Sequence, residues 1–147
     1  MAGMTETEHK WFAVGDRFSK THTFTPAQVR AFSTEAGDSN PLHHDDAAAA
    51  ASRYGRLIAS GTHTTALVLG LTAAHFSRTH SVVGVSFSVE FRRPVFADAT
   101  VRIEWEVVGT AMRGARAQRL ELRGAMVDAE GALCVAAQGV VQVGVAA

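Results

Sequence analysis

The stretch from Gly61 to Arg78, GTHTTALVLGLTAAHFSR, decides the fold that we predict for this chain. Its apolar residues lie on most sides of a helix rather than along one stripe: Ala66, Leu67, Leu69, Gly70, Leu71 and Ala74. A helix that is apolar all round is typical of one buried inside a larger assembly of elements. We therefore predict a long, buried helix wrapped by the rest of the chain.

The second half of the chain has the two-residue period of strands. The apolar positions of the first two strands are Val83, Val85, Phe87, Val89 and Phe91, then Val101, Ile103, Trp105 and Val107. A loop is predicted at residues 109–114, a third strand at 115–127, a hairpin turn at 128–131 and a fourth strand at 133–143. Consecutive strands with short turns indicate an antiparallel sheet with one apolar face. The helix against this sheet gives an α+β sandwich.

The first half predicts two shorter helices. One begins at the capping sequence Thr25-Pro26-Ala27-Gln28 and stops at Gly37, a residue that tolerates left-handed backbone. The other covers residues 47–53, with Asp45 or Asp46 as its N-cap. The strand-like lead-in before the first helix turns at Gly15-Asp16.

Composition narrows the class of protein. The chain has 147 residues, which suits one domain, predicted at 11–147 after a flexible tail at 1–10. Basic and acidic residues number 14 each, which predicts neither a nucleic-acid partner nor a membrane surface. The tail lacks the apolar run of a signal peptide, and one cysteine, Cys134, fits a reducing compartment. A cytoplasmic protein is expected.

The loop Gly37–Asp46, GDSNPLHHDD, is dense in titratable side chains between two helical segments. Asp38 and His43 are a candidate acid/base pair, because histidine titrates near neutral pH and a partly buried carboxylate is tunable. The alternative is a solvated turn, since Asp, Asn, Pro and Gly are the common turn formers.

The same loop offers a candidate metal cluster in His43, His44, Asp45 and Asp46, whose ligand types suit zinc or iron. Adjacent histidines lack the spacing of known zinc sites, however. Asp45 and Asp46 are better explained as a helix cap and as favourable charges at its N-terminus. We predict no metal and no cofactor.

The segment Ile58–His63 opens the long helix. Backbone N–H groups at a helix N-terminus carry partial positive charge and can act as an oxyanion hole. Gly61 would permit the close approach of a ligand, with Ser60 and Thr62 beside it. The alternative for Ser60 is a simple helix cap.

Two cations end the first strand of the second half, in Phe91-Arg92-Arg93-Pro94-Val95. Arg92 and Arg93 are candidate contacts for a phosphate-bearing ligand, because a guanidinium matches phosphate geometry. The alternative for each is a solvated strand end.

Taken together, the blocks Gly37–Asp45, Leu57–Gly61 and Phe91–Val95 resemble the MaoC-like dehydratases, the (R)-specific enoyl-CoA hydratases. The resemblance covers roughly residues 12–143. It implies a hot-dog fold, in which an antiparallel sheet wraps a long central helix. It also implies a homodimer or dimer of dimers that binds an acyl-CoA or acyl-carrier-protein thioester at the subunit interface.

The resemblance carries the family's roles onto matching positions. Asp38 and His43 become the pair that activates water for addition to a 2-enoyl thioester, giving an (R)-3-hydroxyacyl product. The supporting positions are Asn40 and Pro41 in the loop, Gly61 with Ser60 and Thr62 at the oxyanion site, and Arg92 and Arg93 at the CoA phosphates.

Two rival functions stay open at this point. A hot-dog acyl-CoA thioesterase would direct a carboxylate and a water at the carbonyl carbon. A non-catalytic acyl-thioester-binding subunit of a heteromeric dehydratase would need neither proton carrier. The Asp-x-Asn-Pro-x-His pattern of Asp38–His43 favours the hydratase over both.

Overall fold

The computed structural model describes residues 10–146, which form an antiparallel sheet with a long helix against it. The five strands are β1 (Arg17–Thr23), β2 (His80–Phe91), β3 (Thr100–Arg113), β4 (Ala117–Val127) and β5 (Leu133–Val145). They lie in the order β1-β3-β4-β5-β2, and every neighbouring pair is antiparallel. The helices are α1 (Pro26–Glu35), α2 (Asp46–Ala51) and α3 (Gly61–Phe76), with a 3-10 turn at Pro41–His43. The α+β prediction is confirmed.

Helix α3 contacts all five strands. The indole N–H of Trp105, from β3, donates to the backbone O of Val68 in α3 at 2.9 Å, and Trp105 is only 1% exposed. Gly124 on β4 makes room for this indole, since a Cβ there would lie 2.7 Å from the ring. The tryptophan therefore fixes the helix on the sheet.

Burial of α3 is confined to one face. Thr64, Val68, Thr72 and Phe76 repeat every fourth residue and are buried with His63. Ala66, Gly70, Ala73 and Ala74 are exposed. The expectation of burial on every side is wrong for a single chain, because one sheet covers one face of a helix.

The apolar alternation predicted along β2 is interrupted by a β-bulge. Gly84 pairs with Val141 and Ser86 with Val140, so Val85 is an extra residue without a partner. An extra residue inverts which face the following side chains point to. Phe87 and Val89 pack on the core, whereas Val83 is 63% exposed and Val85 48%. The prediction that these four share one face was wrong.

The predicted loop at 109–114 is also wrong, because β3 continues to Arg113 and pairs with β4 as far as Ala117. The register shifts between Val107 and Gly109. The glycine marks a bulge there rather than a chain reversal. The turn itself contains Gly114, whose φ is +68°.

The local stop and start signals are confirmed. Thr25 caps α1 by accepting from the N–H of Gln28 at 3.2 Å. Asp45, rather than Asp46, caps α2 through bonds from Ala47 and Ala48. The turn at 128–131 closes with a bond from Gly131 N–H to Asp128 O at 3.0 Å.

Residues 1–9 of the predicted N-terminal tail lie outside the described residues. Between residues 10 and 146, none of the helices combines the length and the apolarity needed to cross a bilayer.

Candidate active site

The loop after α1 begins with a reversal at Gly37, whose φ of +75° is left-handed. Glycine takes this conformation without a Cβ penalty. The chain then returns to the helix, because the N–H of Asp38 donates to Ser33 O at 2.8 Å. The backbone of Asp38 is thereby fixed to the end of α1.

Asn40 organises the middle of the loop through three bonds. Its N–H donates to Asp38 Oδ1 at 3.0 Å, and its Oδ1 accepts from Leu42 N–H at 3.1 Å. Its carbonyl accepts from His43 N–H at 3.0 Å, closing the 3-10 turn in which Pro41 holds the first position. Asn40 and Pro41, which we expected to hold the loop, lie at its centre.

The structure brings Asp38 and His43 together. His43 Nε2 lies 3.5 Å from Asp38 Oδ2. The other ring nitrogen, Nδ1, lies 2.8 Å from the carbonyl O of Ile58. A carbonyl oxygen only accepts, so Nδ1 carries the proton and the lone pair of a neutral ring is at Nε2. His43 is 6% exposed, so its ring is held in this orientation.

This arrangement presents two acceptors, Asp38 Oδ2 and His43 Nε2, to one point. Their 3.5 Å separation exceeds that of a strong direct hydrogen bond. A water placed between them can donate one hydrogen bond to each. The pair is chemically suited to binding a water and taking a proton from it.

The segment before α3 places the helix N-terminus next to this pair. Ala59 N–H donates to Val95 O at 2.8 Å, and Ala97 N–H donates to Leu57 O at 3.0 Å. These bonds hold Ile58, whose carbonyl accepts a hydrogen bond from His43 Nδ1 and which lies three residues before Gly61. The predicted oxyanion segment and the predicted acid/base pair are therefore physically joined.

Ser60 is the N-cap of α3, which is the simpler of the two roles considered for it. Its Oγ accepts from His63 N–H at 3.1 Å and lies 2.9 Å from Thr62 Oγ1. Ser60 is fully buried. The hydroxyls of Ser60 and Thr62 are thus engaged with each other at the helix start.

Gly61, the first residue of α3, lies under the ring of Phe91. A Cβ at position 61 would come within 2.9 Å of Phe91 Cζ. Phe91 is 59% exposed, and its ring covers the N-terminus of α3 beside Gly61. The first N–H groups of a helix have no partner within it. Because Gly61 has no side chain, there is space beside these N–H groups, and the ring of Phe91 occupies it.

Arg92 lies away from this pair. Its Nε donates to Glu90 Oε2 at 3.0 Å, and both residues line a groove of about 850 Å³ on the sheet together with Ser88. Neither Asp38 nor His43 lines that groove. Arg93 is exposed, and its backbone N–H donates to Cys134 O.

The His-Asp cluster considered as a metal site is engaged in other contacts. His44 Nε2 lies 2.6 Å from Asp38 O, Asp45 caps α2, and Asp46 pairs with Arg30 at 2.9 Å. Within the described part of the chain, no three His, Cys, Asp or Glu residues are grouped as metal ligands.

Two more histidines lie behind the site. His63, on α3, stacks on Phe32 of α1 with ring centroids 4.4 Å apart. Burial lowers the pKa of His63 below its usual 6.5, and the nearby His22 lowers it further. The His63 ring is therefore neutral at neutral pH.

Sequence reasoning missed three contributors: the carbonyl of Ile58, the ring of His44 and the ring of Phe91. The Ile58 carbonyl is a backbone group, which has no signature in the sequence. His44 and Phe91 both stood inside the motifs, but their contacts depend on the folded loop and sheet.

An antiparallel sheet against one long helix, with a carboxylate and an imidazole close together on the loop between α1 and α2, defines a hot-dog protein. The sequence matches the MaoC-like domain family over residues 14–129, and the chain belongs to that family.

Similar proteins carry names of one reaction class. The chain is 35% identical over 100 residues to the (R)-specific enoyl-CoA hydratase of Aeromonas caviae, covering 68% of this chain and 72% of that protein. It is 37% identical over 76 residues to 3-hydroxyacyl-thioester dehydratase X of Mycobacterium tuberculosis. That match covers 52% of this chain but only 25% of the longer relative.

A solved structure agrees with the fold. The (R)-hydratase from A. caviae involved in PHA biosynthesis superposes with a TM-score of 0.79 at 31% identity, over 88% of this chain and 96% of that one. The predicted hot-dog fold and the predicted family are confirmed. The expected class, hydratase or dehydratase, agrees with the names that these relatives carry.

Proposed function

We propose that this protein reversibly adds water to a 2-enoyl thioester to give an (R)-3-hydroxyacyl thioester. The observation that carries the proposal is the convergence of Asp38 Oδ2 and His43 Nε2, 3.5 Å apart, with the opposite ring nitrogen donating to Ile58. Names of relatives in the same family support the reaction class.

Hydration forms a C–O bond at the β-carbon and a C–H bond at the α-carbon. Asp38 and His43 accept a proton from the attacking water, and the pair returns a proton to the α-carbon. Because the two groups face each other, we treat them as one proton-carrying unit. The bond from His43 to Ile58 keeps Nε2 directed at the water throughout.

Negative charge develops on the thioester oxygen as the water adds. The N–H of Gly61, at the start of α3, is the proposed donor to this oxygen, aided by the positive end of the helix. Ser60 supports this site by capping the helix, and Thr62 supports it through the contact of its hydroxyl with that of Ser60. Asn40 and Pro41 hold the loop.

The direct test is the Asp38→Asn variant with crotonyl-CoA as substrate. Asparagine keeps the size of the side chain and an oxygen for the Asn40 N–H, but it loses the charge. We expect turnover, measured as loss of enoyl absorbance, to fall by on the order of a hundredfold or more. Asp98→Asn is the matched control, since Asp98 is an exposed carboxylate that pairs with Arg56.

The same assay separates the rival functions. Release of free thiol while the double bond persists would identify a thioesterase. Wild-type turnover that Asp38→Asn leaves unchanged would remove the pair from the mechanism. Binding of the enoyl thioester without turnover would identify a non-catalytic subunit.

The proposal includes a homodimer or a dimer of dimers. Its support is the edge strand β2, whose Val83 and Val85 are exposed along an unpaired side of the sheet. Unpaired apolar edges tend to associate. Sedimentation equilibrium of the purified protein measures the assembly directly, and a monomer at micromolar concentration would contradict it.

The acyl carrier is proposed to be CoA or acyl-carrier protein. Arg93 is the better candidate for its phosphates, because Arg92 is paired with Glu90. We also propose a reducing, cytoplasmic location, supported by the single cysteine, Cys134, which is buried and free. Comparing turnover of crotonyl-CoA between wild type and Arg93→Gln tests the phosphate contact as a rise in KM.

A further inference from the structure

We propose that His44 is a positioning residue that holds Asp38 in its productive orientation. This proposal rests on the proposed function of Asp38. The ring nitrogen Nε2 of His44 lies 2.6 Å from the carbonyl O of Asp38. A carbonyl oxygen only accepts, so His44 carries its proton on Nε2 and donates it to Asp38.

The bond from His44 completes the fixation of Asp38. On one side, the N–H of Asp38 donates to Ser33 O at 2.8 Å. On the other, its carbonyl accepts from His44. With both flanking peptide groups held, the direction of the Cα–Cβ bond is set. The N–H of Asn40 then occupies Oδ1, which leaves Oδ2 as the oxygen that faces His43.

His44 is itself anchored by α1. Arg30 Nε donates to the carbonyl of His44 at 3.3 Å, and another nitrogen of the same guanidinium pairs with Asp46 at 2.9 Å. The bond from His44 to Asp38 therefore connects the end of the loop to its start. Without this bond the backbone carbonyl of Asp38 loses its partner, and the side chain of Asp38 is less firmly held.

The adjacent residues His43 and His44 thus have different roles and opposite tautomers. His43 donates through Nδ1 to Ile58 and presents Nε2 to the reaction site. His44 donates through Nε2 to the backbone carbonyl of Asp38, so this nitrogen does not face the reaction site. A small displacement of a reacting group lowers the rate of the chemical step far more than it weakens substrate binding.

The test compares His44→Gln with His44→Asn. A glutamine amide reaches the position of Nε2 and keeps the donor to Asp38, whereas an asparagine amide reaches only that of Nδ1. We expect His44→Asn to lower kcat for crotonyl-CoA by about 10- to 100-fold with little change in KM, and His44→Gln to restore most of it. His75→Gln is the matched control, because His75 is half-buried at the far end of α3, where it stacks on Phe18.

Crystal structures of the three proteins give a readout that does not need activity. The separation of Asp38 Oδ2 and His43 Nε2 should lengthen in His44→Asn and stay near 3.5 Å in His44→Gln. An unchanged separation in His44→Asn, or equal kcat in the two variants, would overturn the proposal. If the wild type hydrates no enoyl thioester, the proposed function fails, while the crystal structures still decide whether His44 positions Asp38.

Discussion

At Gly124 and at Gly61 an added Cβ would clash with an aromatic ring at a similar distance, but substitution by alanine should change the stability very differently at the two positions. A Cβ at Gly124 would lie 2.7 to 2.8 Å from three atoms of the Trp105 indole, and a Cβ at Gly61 would lie 2.9 Å from Phe91 Cζ. Optimal carbon contacts are about 3.5–4.0 Å apart, so either ring must move by about 1 Å. The difference lies in whether each ring is able to move.

The indole of Trp105 is restricted by its surroundings. It is 1% exposed and donates to Val68 O at 2.9 Å, and a shift of about 1 Å would break that bond. Overpacking a core costs about 1–3 kcal/mol, and the lost hydrogen bond adds about 1 kcal/mol. We therefore expect Gly124→Ala to lower the free energy of unfolding by about 2–4 kcal/mol.

Gly61→Ala should cost less than about 1 kcal/mol, because the exposed ring of Phe91 swings into solvent and alanine suits a helix. Urea denaturation measures both variants. At about 2–4 °C per kcal/mol for a chain of this size, Gly124→Ala should also melt roughly 4–16 °C lower.

A double-mutant cycle checks the cause. Trp105→Phe removes the fused ring, so Gly124→Ala should cost much less in that background than in the wild type. Equal costs in the two backgrounds, or equal losses for the two glycine variants, would refute the assignment of the clash to Trp105.

Three further predictions concern the histidines. Imidazole ¹⁵N spectra should show the Nδ1–H tautomer for His43 and the Nε2–H tautomer for His44, and the same tautomer in both would contradict the loop geometry. Burial lowers the pKa of His63 below 6.5, so the unfolded chain takes up a proton at higher pH than the folded one. The free energy of unfolding should be greatest above pH 6.5 and fall as the pH drops below it. His63→Phe should make this pH dependence shallower, which urea denaturation at several pH values measures. An equal pH dependence in the variant and the wild type would show that His63 is not its cause. A chelator should leave turnover unchanged, because no three His, Cys, Asp or Glu side chains among residues 10–146 are grouped as metal ligands; a loss restored by added metal would contradict this.

The local signals in the sequence predicted the elements that depend on near neighbours. The caps at Thr25 and Ser60 each accept from the N–H group three residues later, so the residue types indicate where a helix begins. The alternation from Val101 to Val107 in β3 and the turn at 128–131 follow the same logic. The spacing of Asp38 and His43 left a solvated turn open as the alternative, and the roles of the two residues came from the resemblance to the family.

Tertiary structure decided whatever depends on a partner far along the chain. The bulge at Val85 arises from pairing with β5, so the alternation of β2 read in isolation assigned Val83 and Phe87 to one face. The carbonyl of Ile58 and the ring of Phe91 are brought to the site by contacts between residues far apart in the chain.

The buried face of α3 shows the same division. Its sequence indicated a long apolar helix that begins after a serine cap. Which face is buried followed from the single sheet and from the bond between Trp105 and Val68. The chemical type of a side chain determines which groups it can bond to. Only the packing of strands and helices that are distant in sequence determines which of those groups lie close enough to contact it.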